Sequence, residues 1–164
     1  MKSLKLLIAV LFAVLNVTAQ SNTTLQPVLN SYVALKDALV KTDAANASLQ
    51  AKDLLTAIEA VKSNELSNEA NEAWAKSLKD LKEDAEHISE TKEISHQRDH
   101  FMSLSKNMYQ VIKVSKMSMP VYYQYCPMAN KGKGANWLSF ENKVKNPYYG
   151  NQMLTCGKVV ETIQ

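Results

Sequence analysis

Glycine and proline are scarce in this 164-residue chain, four of each, and all four glycines fall between positions 132 and 157. From about Leu25 to about Lys116 the one breaker is Pro27, which the first turn of a helix tolerates, so helix is not interrupted there. Cysteine is limited to Cys126 and Cys156. Two thiols exclude a disulfide-dense scaffold, and the length suits one ordinary domain that can bury a core of its own. The pair is far apart in sequence and not in a Cys-x-x-Cys turn, which argues against a thiol–disulfide oxidoreductase. A Ser nucleophile elbow, a His-Glu-x-x-His zinc motif and a phosphate-cradling glycine loop are all missing. Lone carboxylates such as Asp99 and Glu141 read as surface charges, and the chain is not expected to be an enzyme. No basic stripe carries interleaved aromatics, which argues against nucleic acid as a partner.

The one long apolar run is Leu6 to Val17, preceded by Lys2 and Lys5 and followed by Val17-Thr18-Ala19. That is the plan of a cleavable export signal covering residues 1–19. An uncleaved anchor is the alternative, but a membrane-spanning helix needs about 20 apolar residues. Cleavage near Ala19 removes both lysines and lowers the formal charge from +3 to +1, a balance that points to no class of partner. No cysteine follows Ala19, so a lipid anchor is not expected there. The expected mature chain, residues 20–164, is a single exported domain without a stable membrane anchor.

Apolar periodicity divides residues 25–116 into four helices. Leu25, Val28, Leu29, Tyr32, Val33, Leu35 and Leu39 form the first stripe. Asp43 is placed to cap a second helix with Ala47, Ala51, Leu54, Leu55, Ile58 and Val61 inward. A polar link at Asn64–Asn68 leads to a third helix, from about Ser67, carrying Ala70, Trp74, Leu78, Leu81, Ala85 and Ile88. Its Glu, Asp and Lys face is a solvated one. A fourth helix from near Ser89 carries Ile94, Phe101, Leu104, Met108, Val111 and Ile112. Such amphipathic helices with short links predict a mainly α fold, an antiparallel four-helix bundle. From about residue 119 to 164 the remaining glycines and prolines meet Tyr122, Tyr123, Tyr125, Trp137, Phe140, Tyr148 and Tyr149. This aromatic-rich appendage is expected to be irregular, with one β-hairpin.

Two sulfur couples stand in the appendage, Cys126-Pro127-Met128 and Met153-Leu154-Thr155-Cys156. In an extended triplet Cys126 and Met128 share a side, and in a tight turn Met153 and Cys156 do so. Two thiolates and two thioethers at one point make a soft site that selects Cu(I) over Mg or Ca. Two other readings stay open. The cysteines form a disulfide that closes a loop of about 30 residues, worth about 3–4 kcal/mol in the chain-entropy account. Alternatively, Met128 and Met153 fill gaps against Trp137 and the tyrosines. The same thiols can also alternate between bridged and metal-bound states. His96 and His100, four apart and so on one side of a helix, are auxiliary candidates. Counting from the Leu104, Met108 and Ile112 stripe puts His100 at its edge and His96 towards solvent. Met117 and Met119, which lead into the appendage, are the other auxiliaries, and His87 and Met102 complete the candidate ligands.

The segments Tyr125-Cys126-Pro127-Met128-Ala129, Gly134-Ala135-Asn136-Trp137-Leu138-Ser139, Asn146-Pro147-Tyr148-Tyr149-Gly150 and Met153-Leu154-Thr155-Cys156-Gly157 resemble a periplasmic family known as domain of unknown function 3347. The pattern is also similar to one attached to some periplasmic adaptor subunits of copper and silver efflux pumps. The likeness is dense over about the last 40 residues and looser over the helices. It implies a Gram-negative periplasmic protein linked to heavy-metal handling, and it points to Cys126, Met128, Met153 and Cys156. The long coiled-coil hairpin and barrel segments of a complete efflux adaptor are absent. The expected function is a periplasmic module that binds a soft ion, above all Cu(I), and buffers it or passes it to an efflux component. The alternative is a disulfide-stabilised interaction domain, without metal, that docks through exposed tyrosines and Trp137.

Overall fold

The Asp43 carboxylate accepts from the Asn46 amide at 3.0 Å and so opens the second helix where its spacing predicts. The structure, a computed structural model, describes residues 23–164. The expected export signal at residues 1–19 lies outside the described residues. Four helices come first, α1 (Gln26–Val40), α2 (Ala44–Glu59), α3 (Asn68–Glu90) and α4 (Ile94–Ile112). Three strands follow, β1 (Val121–Cys126), β2 (Ala135–Ser139) and β3 (Lys158–Ile163). The fold is a helical bundle with a small antiparallel sheet at its C-terminal end. No helix among the described residues is long and apolar enough to cross a membrane.

The predicted stripe of α1 is buried throughout, as are the main positions of the other helices, while Leu55, Val61, Leu78 and Ile94 are half-buried. Short links make each helix double back on its predecessor. Tyr32 of α1 stacks on Phe101 of α4 at 5.2 Å between ring centroids and closes the bundle across its middle. The predicted start of the fourth helix near Ser89 is corrected, because α3 runs on to Glu90. The Ser89 hydroxyl donates back to the Glu86 carbonyl at 2.8 Å rather than capping a new helix. The Thr91 hydroxyl instead accepts from the Glu93 amide at 3.0 Å, so the reversal falls at residues 91–93. Buried Gln97 locks that corner, its amide reaching the carbonyls of Thr91 at 2.8 Å, Ala44 at 2.9 Å and Ile88 at 3.3 Å.

The appendage holds one strand more than the single hairpin expected. The sheet order is β2-β1-β3, with both pairings antiparallel and a bulge opposite Tyr123 and Gln124. The third strand is hard to read because its side chains are mostly solvent-facing, as suits an edge, and only Ile163 is fully buried. The sheet sits against α4, and its buried Trp137 meets Tyr148 edge-on. Arg98 of α4 ties the tail to the helices. Its Nε donates to the Pro147 carbonyl at 2.8 Å and its Nη2 to the Leu39 carbonyl and the Thr42 hydroxyl, both at 3.1 Å.

Candidate metal centre

Antiparallel pairing decides where the thiols meet. Tyr125, next to last in β1, is opposite Lys158 at the start of β3, so Cys126, which ends β1, and Cys156, two residues before β3, come to the same end of the sheet. Their Sγ atoms lie 2.9 Å apart, and both are free thiols. Cys126 is fully buried and Cys156 is half-buried, so the pair opens to solvent from the Cys156 side. Hydrogen bonding to Cys126 is the main reason the Cys156 thiol is pushed above its ordinary range, with burial adding to it. The Met128 amide acts in the opposite sense by donating to the Cys156 sulfur.

Both methionine backbones therefore touch the Cys156 turn. The Cys156 amide donates to the Met153 carbonyl at 3.0 Å, which is the tight turn that the spacing predicts. The first couple departs from expectation. Cys126 ends β1 and Pro127 begins a turn, so the triplet is not extended, and Met128 is 52% exposed. That exposure removes core packing as the role of Met128. Trp137, expected as a docking residue in the alternative reading, is instead fully buried.

The loop that carries Cys156 is held from beneath by Asn146, which is fully buried. Its Nδ2 donates to the Cys156 carbonyl at 2.9 Å, and its amide donates to the Leu154 carbonyl at 2.8 Å. Gly157 lets the chain turn from this loop into β3. At φ +142 a Cβ there would lie 2.8 Å from the Tyr125 carbonyl and 3.0 Å from the Trp137 ring. A buried Asn that satisfies two backbone groups follows from the geometry alone, since nothing in the spacing of the sequence marks it.

The auxiliary candidates are distributed elsewhere. Strand β1 puts about 17 Å between its two ends. Met117 and Met119 enter at the Val121 end, opposite Cys126, which corrects their assignment to the sulfur site. His100 is half-buried and His96 exposed, as the helical angle predicts. Both group with exposed His87 of α3, with the three ligand atoms all within 4.8 Å of one another, and this cluster contains no cysteine. Proximity of His87 depends on how α3 and α4 cross, so only the fold reveals it.

One protein family matches the chain, described as "Protein of unknown function (DUF3347)", over residues 28–119. The matched stretch is the helical half and stops just before β1, whereas the likeness drawn from motifs is densest in the tail. No curated protein matches, and no solved structure does either.

Proposed function

The chain belongs to the DUF3347 family, and we propose that it acts as an exported, periplasmic soft-metal module that holds Cu(I) and buffers it or hands it to an efflux component. The observation that carries this reading is the 2.9 Å approach of two free thiols, Cys126 and Cys156, with Met128 and Met153 hydrogen-bonded through their backbones to the second of them. Thiolate and thioether donors select soft ions. Taking about 2.3 Å for a metal–thiolate bond, two sulfurs on a tetrahedral centre stand about 3.8 Å apart. The thiols must therefore part by roughly 0.9 Å to admit an ion. The half-exposed Cys156 turn is the side able to give, because Cys126 is fixed in the central strand. A thiol binds an ion as the thiolate, so capture releases protons and strengthens as pH rises. The reading assigns the chain no catalysis.

The test is a titration of the reduced protein with Cu(I) against a competing chelator, repeated for Cys126→Ser and Met153→Leu. The expected result is one tightly held equivalent, weakened at least 100-fold by the cysteine change and less by the methionine change. Equal affinity in all three proteins overturns the proposal. The same proximity favours a second reading, a bridged pair that stabilises an interaction domain without metal. Mass measurement of protein isolated without reductant distinguishes the two, since a bridge lowers the mass by two hydrogens.

A further inference from the structure

From the α3–α4 corner we infer that the chain carries a second metal site, independent of the sulfurs, in which His87, His96 and His100 take a borderline divalent cation of the Cu(II) or Zn(II) class. Three imidazoles are the donor set that such ions favour, while a soft monovalent ion prefers sulfur. The ligand atoms lie within 4.8 Å of one another. Around an ion bound at about 2.0–2.1 Å in tetrahedral geometry they stand about 3.3 Å apart. Exposed His87 and His96 close that gap by side-chain rotation alone, and the exposed side leaves room for water as a fourth ligand.

The structure also supplies what orients the ligands. His100 Nδ1 lies 3.0 Å from Asp84 Oδ1. An ionised carboxylate only accepts, so Nδ1 carries the hydrogen and Nε2 keeps the free lone pair for the ion. Asp84 is in turn held by the Ser103 hydroxyl, which donates to its second oxygen at 2.5 Å. His87 sits in the last turn of α3, where the carbonyl end of the helix favours positive charge. Its ring lies parallel to that of His100, with centroids 4.4 Å apart, and His96 meets the same ring edge-on at 4.7 Å. Gln97 binds the carbonyls of Ile88 and Thr91 and so fixes the crossing that brings His87 to the other two.

The experiment uses the full mature chain with Cys126→Ala and Cys156→Ala, its fold checked by circular dichroism. Cu(II) is titrated against glycine as competitor and the complex examined by electron paramagnetic resonance. The expected result is one equivalent with nitrogen couplings from imidazole. Affinity then falls at least 100-fold in His87→Ala, and about 10- to 100-fold in Asp84→Asn, where only an orienting partner is lost. Survival of this binding without thiols separates the site from the sulfur proposal. Equal affinity in His87→Ala, or a spectrum without nitrogen couplings, overturns it. Zn(II) titration of the wild-type chain, followed by the imidazole proton signals, gives an answer without altering either cysteine. All three histidines shift together by the second equivalent, and their failure to move overturns the inference equally.

Discussion

The hydroxyl of Tyr32 accepts a hydrogen bond from the Leu138 amide at 3.1 Å, joining the first helix to strand β2 across 106 residues of sequence. The same hydroxyl is 2.7 Å from the Ser105 hydroxyl of α4, and all of it is buried. Removing it in Tyr32→Phe leaves the Leu138 N–H without a partner in a dry interior. The expected loss is about 1–3 kcal/mol of stability, measured by urea unfolding. An unchanged midpoint and slope contradict this account of how sheet and bundle are joined.

Cys156 is expected to alkylate slowly near neutral pH in the reduced protein, because its raised pKa leaves little thiolate. Hydrogen bonding to Cys126 is the main cause. In Cys126→Ala that contribution disappears, so the pH dependence of alkylation at Cys156 moves to lower pH. Rates followed by mass spectrometry read this directly, and a profile that stays in place removes Cys126 as the cause.

Gly157→Ala places a methyl group 2.8 Å from the Tyr125 carbonyl at a φ that side chains rarely adopt. The expected cost is about 1–3 kcal/mol. Cu(I) affinity falls with it, because the same residue sets the course of the Cys156 turn. A melting midpoint equal to that of the wild type shows that the turn relaxes freely.

Gln97→Leu withdraws the donor shared by the carbonyls of Ala44, Ile88 and Thr91. About 1–3 kcal/mol of stability is expected to go. Faster hydrogen exchange should be confined to the end of α3 and the start of α4. Exchange that quickens evenly through the bundle indicates a global effect instead.

Tyr109 donates to the Glu161 carboxylate at 2.6 Å and stacks on Tyr123 with centroids 3.9 Å apart. That carboxylate holds the proton on the phenol and pushes its pKa up to about 12. The contact is therefore complete below the ordinary tyrosine range and is lost as pH climbs through about 12. Glu161→Gln removes the charge, so its phenolate absorbance is expected to rise at lower pH. Superimposable titration curves for the two proteins rule out this coupling of β3 to α4.

The helices are legible in the sequence because each apolar stripe repeats with the helical period and Asp43 and Ser67 announce two starts. The third strand is less so, since Lys158, Glu161 and Thr162 are exposed and six residues at an edge carry little periodic signal. Grouping Cys126 with Cys156 is readable as chemistry, whereas their meeting point depends on a strand register that no local spacing encodes. His96 and His100 share a helical face by arithmetic, and His87 joins them only through the α3–α4 crossing. Asn146 opens one of the segments that carry the family likeness, but its hold on the Cys156 loop has no local signal.

The central place of β1 in the sheet bears on the order in which the protein comes into being. Neighbouring helices pair locally, but β1 waits for a strand that begins only after Cys156. Contacts that span long stretches of sequence form late. A ribosome delivers Cys126 thirty residues ahead of its mate. Until β3 docks on β1 the two cysteines stay apart, so the meeting of their sulfurs is among the last events of folding.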